Sequence, residues 1–301
     1  MTLGAHGASE HVDRFTALRP LLFTIAYEIV GSPTEAEDVL QDSYLRWSEV
    51  DLATVLDSRS YLARLVTRQA LNALRSAARR RTDYVGPWLP EPLLLDDRDG
   101  CADAVLAESV SIAMLVVLEA LTPDQRAVFV MHEVFGFDYA EVADAVGKPI
   151  EAVRQLAHRA RTAVRSRRKR FDPIDPSRNA AITTQFLAAA ASGDLSSLLD
   201  LLAPDVVLTA DGGGLVSAAR RPVSGADRVA RFVIGLIRKS GEVAVQLVTC
   251  NGAPAATFAF DGHIQGMLTA GIADGKIAEI YLLRNPEKLA GLATTHRISL
   301  G

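Results

Sequence analysis

Apolar side chains recur at helical spacing in three successive segments near the start of the chain, residues 11–31, 32–50 and 58–81. A spacing of three to four residues places such side chains on one face of a helix, so the pattern predicts three amphipathic helices. We expect Gly31 to end the first helix and Ser32 to cap the second.

A second stretch of helical periodicity covers residues 105–171 and predicts four helices. Thr122 begins a capping-box pattern within this stretch. Residues 138–161 have the layout of a helix-turn-helix, with Gly147 in the turn and a long amphipathic helix after it. This segment therefore predicts a second helical domain.

The pattern changes after a proline-marked joint at residues 171–179. Helical segments come first, and four strand-like runs follow, separated by Asn-Gly at 251–252 and by Asp-Gly at 261–262 and 274–275. These dipeptides favour tight hairpin turns. Helices followed by a curved antiparallel sheet predict an α+β cone at the end of the chain.

Charge is distributed unevenly along the 301 residues. The formal net charge is −4, yet residues 145–171 carry nine Lys or Arg and one acidic residue, a local balance of +8. Such a cationic segment beside a helix-turn-helix is typical of a surface that neutralises nucleic-acid phosphates. Cys101 and Cys250 lie in unrelated contexts and suggest neither a metal site nor a disulfide. We see no signal peptide and no membrane span.

The segment EAEDVLQDSYLRW, residues 35–47, resembles the polymerase-binding helix of bacterial sigma factors, and the basic helix after it resembles their −10 reading helix. Combined with the helix-turn-helix, the chain resembles the extracytoplasmic-function sigma factors, which keep only these two domains. The resemblance implies binding to the β and β′ subunits of the polymerase core and to promoter DNA, in the cytoplasm, with no cofactor, no metal and no catalysis by this chain.

The implied fold class is multi-domain, with two all-α sigma domains followed by an α+β SnoaL/NTF2-like cone. The expected boundaries are 10–85 for the first sigma domain, 86–104 for a linker, 105–171 for the second sigma domain and 178–295 for the cone.

The resemblance also assigns three sets of contact residues. The polymerase-binding set is Asp38, Gln41, Asp42, Arg46 and Trp47, and Trp47 equally fits a place in the helical core. The −10 set is Arg59, Arg64, Arg68, Asn72 and Arg75, and the −35 set is Arg154, Gln155, His158, Arg159 and Arg161. The last five lie early on the predicted recognition helix, where side chains reach base edges and phosphates.

Three short motifs resemble those of a sigma-factor subgroup that carries a SnoaL-like extension. They comprise Trp88, Leu89, Pro90, Glu91 and Pro92 in the linker, Asp211, Gly212, Gly213 and Gly214 in a turn, and Asn285, Pro286, Glu287, Lys288 and Leu289 near the end. The resemblance implies that the extension regulates the sigma factor in cis. We expect Trp88 and Leu89 to form an apolar anchor that docks the third domain.

Two other functions remain open from the sequence. A SnoaL-like isomerase or hydrolase fused to a DNA-binding module would need an acid-base pair drawn from Asp211, His263 and Tyr281, although Asp211 also suits a turn before glycines. A stand-alone transcriptional regulator would bind DNA without polymerase, and the acidic face of residues 37–42 argues against it. A homodimer or a small-molecule ligand of the cone is also left open.

Overall fold

The computed structural model describes residues 3–81, 84–95, 104–168, 175–240 and 243–300. They form two compact units. Unit 1 contains the chain up to residue 80, residues 117–166 and residues 297–301, and unit 2 contains residues 81–116 and 167–296. None of the described helices is long and apolar enough to span a membrane.

Helices form the first half of the chain. Their bounds are α1 Leu3–Val30, α2 Pro33–Trp47, α3 Ser58–Arg81, α4 Ala104–Ser109, α5 Ile112–Glu119, α6 Pro123–Phe129, α7 Tyr139–Val146 and α8 Ile150–Arg168, with a π-helical turn at Val130–Val134 after α6.

The predicted helix caps are present, and the structure has one helix boundary that the sequence did not predict. The Ser32 hydroxyl accepts a hydrogen bond from the Glu35 amide, and Gly147 ends α7 in the left-handed conformation at φ 68°. The stretch predicted to hold four helices contains five α-helices in its described part. The additional break falls at Ser111, because its hydroxyl accepts from the Met114 amide and so begins α5 as a separate helix.

The core of unit 1 is apolar and contains buried polar anchors. Trp47 is fully buried, and its indole N–H donates to the His11 carbonyl at 3.0 Å. Arg126 of α6 is also buried, and it donates to the Glu28 carbonyl of α1 at 2.8 Å and pairs with Glu119 at 2.5 Å. Arg126 therefore joins α6 to α1, since a buried donor requires a partner.

Unit 2 is built on an eight-stranded sheet with the order β3-β2-β7-β6-β5-β4-β1-β8. Its strands are β1 Leu94–Leu95, β2 Leu202–Asp211, β3 Val223–Ser224, β4 Ala244–Cys250, β5 Ala253–Phe260, β6 His263–Ala273, β7 Lys276–Leu283 and β8 Thr295–His296, and its remaining helices are α9 Pro176–Ser192, α10 Leu195–Leu201, α11 Ala226–Ser240 and α12 Pro286–Leu289.

The four predicted strands, β4 to β7, pair antiparallel to one another as expected, and two parallel pairs make the sheet as a whole mixed. β2 pairs with β7 in parallel, because α11 and the strands after it carry the chain between them, and β1 pairs with β8 in parallel. The three predicted hairpins are present. Asn251, Asp261 and Asp274 have φ of 54°, 48° and 51°, and a glycine at positive φ follows each one, as two-residue turns require.

Alternating side chains of the sheet support hydrophobic clusters on its opposite faces. Leu282 of β7 packs in a cluster that α9, α10 and α11 cover. The next residue, Leu283, packs in a second cluster with Leu89, Ile112 and Leu292. The linker and α5 therefore complete the cover of the face that the helices of the cone leave open.

Candidate functional site

Five residues from three distant parts of the sequence meet at one edge of the cone. Trp88 and Leu89 belong to the linker and Tyr84 lies just before it, Asp211 ends β2, and Lys288 lies in α12. The Lys288 ammonium donates to Asp211 Oδ2 at 2.7 Å and to the Leu89 carbonyl at 2.6 Å. We call this group of five residues the linker clasp.

The Asp211 carboxylate holds the linker directly. Its Oδ2 accepts from the Leu89 amide at 2.9 Å, and its Oδ1 accepts from the Tyr84 hydroxyl at 2.5 Å and from the Gly213 amide at 3.0 Å. Burial raises the pKa of Tyr84, and the hydrogen bond to Asp211 raises it further. Tyr84 is therefore a neutral phenol that donates its proton to a buried carboxylate.

The ammonium also sits on an aromatic surface. Lys288 Nζ lies 3.2 Å from the centroid of the Trp88 ring and 4.9 Å from that of Tyr84. The Lys288 side chain is 3% exposed and that of Asp211 is 0% exposed. A cation and an anion at this depth are stable only when the pairing and the hydrogen bonds are both in place, so the clasp depends on all its members.

The glycines after Asp211 allow the close approach of Asn285 and of Val85, which lies shortly before the linker motif. Gly213 has φ 61°, and a Cβ there would lie 2.7 Å from Asn285 Cγ. Gly214 has φ 74°, and a Cβ there would lie 2.9 Å from Val85 Cβ. Any other residue would be strained at both positions and would displace a neighbour.

The remaining members of the three motifs surround the clasp. Asn285 donates to the Tyr84 hydroxyl at 3.0 Å and caps α12, which begins at Pro286 and contains Glu287. Pro90 and Pro92 are buried, Glu91 is half-buried, Gly212 approaches the Val216 carbonyl, and Leu289 packs in the second hydrophobic cluster. All three motifs therefore meet within unit 2.

A second attachment of the linker was missed by sequence reasoning. The Asn251 side chain accepts from the Leu93 amide at 2.8 Å and donates to the Val110 carbonyl at 2.7 Å, while its backbone amide donates to the Leu93 carbonyl at 2.8 Å. Asn251 is fully buried. An Asn-Gly dipeptide signals a turn, and only burial in the fold shows that its side chain also binds two other segments.

Cys250 belongs to the same attachment. Its thiol donates to the Leu93 carbonyl at 3.3 Å, and burial raises its pKa to about 12. A thiol of this kind is protonated and unreactive at neutral pH. Cys101 lies outside the described residues.

The three residues considered for acid-base catalysis lie in different environments. Asp211 is occupied by the clasp. His263 is exposed beside the turn that precedes β6, and Tyr281 is buried and donates its hydroxyl proton to Glu279. No hydrogen bond joins any two of the three within the part of the chain that the structure describes, and no metal-ligand cluster occurs there.

The predicted polymerase-binding residues form an exposed face of α2, with one exception. Asp38, Gln41, Asp42 and Arg46 are exposed. Trp47 is fully buried, which agrees with the core position that its aromatic side chain also fits, and its contact with a partner stays a prediction. Trp47 closes the helical core, because its indole N–H is satisfied there by the His11 carbonyl.

The predicted −10 residues lie on α3 and contact the second helical domain within unit 1. Arg75 pairs with Asp124 at 2.6 Å, Arg68 donates to the Asp144 carbonyl at 2.7 Å, and Arg64 lies 3.6 Å from the Asp144 carboxylate. Three of the five predicted residues are therefore bound to carboxylate or carbonyl groups of the second helical domain.

The other two −10 residues differ from each other. Arg59 stacks on the Phe137 ring at 4.6 Å and donates to the Leu300 carbonyl at 3.4 Å. Asn72 is exposed and lines a groove of about 300 Å³ between α2 and α3, together with Asp38 and Asp42. The end of the chain also contacts α1, where the Ser299 amide donates to the Thr24 hydroxyl at 3.1 Å.

The predicted −35 residues lie on α8, the second helix of the helix-turn-helix. Arg154, Gln155, His158 and Arg159 are exposed on its outer face. Arg161 is half-buried and pairs with Glu133 at 3.4 Å. Four of the five side chains are therefore accessible to a ligand, and Arg161 is held by a neighbouring element.

Comparison with known proteins identifies both helical domains. The family model for Sigma-70 region 2 matches residues 14–80, and that for Sigma-70 region 4 matches residues 111–164. ECF RNA polymerase sigma factor SigJ of Mycobacterium tuberculosis is 41% identical over 294 residues, which cover 93% of each protein. Probable ECF RNA polymerase sigma factor SigI of the same organism is 32% identical, covering 91% of this chain and 92% of that protein.

A solved structure extends the similarity to three dimensions. The crystal structure of SigJ from M. tuberculosis superposes with a TM-score of 0.75 at 36% sequence identity, and it covers 93% of this chain and 98% of that one. The match includes the C-terminal α+β domain. The predicted fold class, two helical domains followed by a SnoaL/NTF2-like cone, is thereby confirmed.

Proposed function

The chain belongs to the extracytoplasmic-function RNA polymerase sigma factors, and on that premise we propose that its C-terminal cone regulates promoter recognition in cis through the linker clasp. A sigma factor binds the polymerase core and directs initiation at specific promoters. The two helical domains must engage DNA while the segment that joins them spans the distance between their binding sites. When the linker is fixed to a third domain, less of it is free to extend, and this limits how far apart the two helical domains can bind.

The observation that carries this proposal is the buried pair of Lys288 and Asp211, which holds the backbone of Leu89 from both sides. A linker that only connected two domains would need no such attachment. The second attachment at Asn251 supports the same conclusion, since its side-chain oxygen binds the Leu93 amide and its backbone amide binds the Leu93 carbonyl. The length of chain free to move between the sigma domains is therefore set by the cone.

For the partners, we propose that the exposed face of α2 binds the β′ subunit of the core and that the β subunit contacts the second sigma domain. Asp38, Gln41 and Asp42 offer a mainly acidic surface, and Leu45 is exposed one turn further along the same face. Acidic groups beside an apolar side chain suit a basic protein partner better than DNA. The protein would act in the cytoplasm, where its polymerase is. A homodimer through the cone stays a prediction, and light scattering of the full chain would test it.

In vitro transcription with purified core polymerase and a promoter library tests the proposal. We compare the full chain with Lys288→Met, and with Arg231→Met as a matched control that removes an exposed cation from the same domain. We expect defined transcripts from the full chain. The transcript yield should change several-fold for Lys288→Met and should be unchanged for Arg231→Met. Equal yields from all three would contradict regulation through the clasp, and the absence of transcripts from all three would contradict the assignment of sigma activity.

A further inference from the structure

The cone contains a cavity of about 320 Å³ between its helices and the sheet. Leu187 of α9 and Leu236 and Ile237 of α11 form one wall, and Phe258 of β5 and Leu268 of β6 form the other. The volume lies in the range of small-molecule pockets, which begins at about 300 Å³. The pocket is partly open to solvent and lined mainly by apolar side chains, so a small molecule can enter it and bury apolar surface there.

The described lining has one cationic side chain, Arg284, which follows β7. Its Nη1 donates to the Ser217 carbonyl at 2.7 Å, which uses one of the five N–H groups of a guanidinium. Among the residues that the structure describes, no carboxylate lies within ion-pair distance of it.

An apolar cavity whose cation faces no carboxylate of the described chain has a defined chemical preference. The apolar walls favour a hydrocarbon or aromatic body. The guanidinium favours a carboxylate or a similar oxyanion, since it can form two parallel hydrogen bonds to it. Gln265 also belongs to the lining and adds an amide that can bind the anion as well.

Arg284 is also next to the clasp. The backbone amides of Arg284 and Asn285 both donate to the Asp211 carbonyl, at 2.7 and 3.0 Å. The Asp211 carboxylate in turn holds Leu89 and Lys288. A ligand that pulls on the Arg284 side chain therefore acts through a backbone that is hydrogen-bonded to the residue that fixes the linker.

We propose that this cavity binds a small apolar acid, with the anionic group on Arg284 and the apolar body between the helices and the sheet, and that the bound acid stabilises the linker clasp. Binding of the acid is independent of transcription. The regulatory meaning of its effect on the clasp rests on the proposed function. Coupling between the two sites is reciprocal, so a change in the clasp also changes affinity for the acid.

The binding half is tested on the full chain with a matched pair of probes, 1-naphthaleneacetate and its neutral amide. Isothermal titration calorimetry gives both affinities. We expect the acid to bind at least tenfold more tightly than the amide, and Arg284→Gln to remove this difference without changing the affinity for the amide. Failure of both probes to bind at millimolar concentration, or an acid preference that survives Arg284→Gln, would overturn the proposal.

Two variants that fill the cavity separate binding inside it from binding elsewhere. Leu187→Trp and Ile237→Trp introduce bulk from different helices, and circular dichroism with thermal melting shows which of them folds. We expect neither probe to bind to a folded variant. Binding that persists in a folded variant would place the probes outside the cavity and overturn the assignment.

The effect of the acid on the clasp is measured as the rate of hydrogen exchange in the peptide that contains Leu89. The acid is expected to slow exchange of the Leu89 amide at saturation, because that amide donates to Asp211, and the neutral amide is expected to have a smaller effect. Unchanged exchange with the acid bound would overturn the coupling. Neither readout involves polymerase, so failure here is distinct from failure of the transcription experiment.

Discussion

Lys288 and Asp211 form a buried ion pair at 2.7 Å at the edge of the cone, 77 positions apart in the sequence, and the backbone of Leu89 is bound between them. The lysine donates to the Leu89 carbonyl, and the aspartate accepts from the Leu89 amide. One linker residue thus hydrogen-bonds to both members of a buried pair. The pair and the linker therefore stabilise each other.

Lys288→Met should lower the free energy of unfolding of the cone by about 3–5 kcal/mol, because the substitution leaves the Asp211 charge buried without its cation. Denaturant unfolding of the full chain measures this. Arg231→Met is the control, since its pair with Asp227 has side chains 66% and 59% exposed and solvent screening leaves such a pair with little effect on stability. Similar decreases for the two variants would show that the clasp is not a stabilising element.

The Cys250 thiol should report whether the linker is attached. Its pKa of about 12 lies above the ordinary value, so the folded state retains a proton that the unfolded state releases. This contribution to stability is complete below the unfolded-state pKa and disappears as the pH rises towards the folded value.

Alkylation with iodoacetamide at pH 8, in a Cys101→Ser background, should therefore be slow in the folded chain and fast in denaturant. Lys288→Met should accelerate it several-fold by loosening the linker, and Arg231→Met should not. Rapid alkylation of the folded Cys101→Ser chain would show that the thiol is accessible and that the hydrogen bond to Leu93 is open.

Local signals predict the elements of this fold well. Ser32 and Thr122 cap helices as expected, and the three Asn-Gly or Asp-Gly turns form hairpins, because each depends on residues within a few positions. No local signal predicts strand β1. Its two residues, Leu94 and Leu95, form a strand only because Cys250 and β8 lie beside them.

The sequence predicts which residues form the site, but it predicts only part of the contacts that they make. Resemblance groups the three motifs, yet neither the pairing of Lys288 with Asp211 nor the role of Tyr84 follows from spacing. The local pattern predicts only a turn at Asn251, and for Trp47 the sequence leaves both a partner contact and a core position open. In each case burial decides the role, and burial depends on segments that are remote in the sequence.

Arg154 and Arg159 should contribute more to DNA binding than Arg161. The first two are exposed on α8, and Arg161 is paired with Glu133. Alanine at Arg154 or Arg159 should weaken binding to −35 duplex DNA and lower the dependence of log K on log salt by about one unit for each phosphate interaction that is removed. Arg161→Ala serves as the matched control, and an equal weakening by Arg161→Ala would contradict the assignment.

Release of α3 from the second helical domain should favour binding of the −10 element. Asp124→Asn together with Asp144→Asn removes the carboxylates that face Arg75 and Arg64. Since exposed ion pairs contribute about 0.2–1 kcal/mol each, loss of the two pairs should raise affinity for a single-stranded −10 oligonucleotide by about two- to thirtyfold. Fluorescence anisotropy measures this, with Asp227→Asn as the control, and unchanged affinity would show that these ion pairs do not compete with DNA.

The pH dependence of the same ion pair follows from its surroundings. Burial alone would raise the pKa of Asp124, but the hydrogen bonds and charges of Arg75 and Lys148 outweigh it and lower the pKa below its ordinary value. The contribution of Asp124 to stability is therefore present above the unfolded-state pKa and disappears as the pH falls through the folded value. At neutral pH the ion pair is complete, and added salt should weaken it by screening.

Gly213→Ala should open the clasp by a steric route that leaves every charge in place. Alanine is strained at φ 61°, and its Cβ would lie 2.7 Å from Cγ of Asn285, whose amide donates to Tyr84. Gly262→Ala is the control because Gly262 has φ 77° and a Cβ placed there would meet nothing within 4 Å. Both variants carry the strain of positive φ, about 1–2 kcal/mol, and only Gly213→Ala adds the clash.

Thermal unfolding should therefore show a larger decrease in stability for Gly213→Ala than for Gly262→Ala, and Cys250 alkylation should accelerate in Gly213→Ala alone. The two readouts distinguish opening of the clasp from general destabilisation, because the Cys250 thiol is held against the linker carbonyl of Leu93. Equal decreases in the two variants would mean that Asn285 moves aside without consequence and that the glycine turn does not position the clasp.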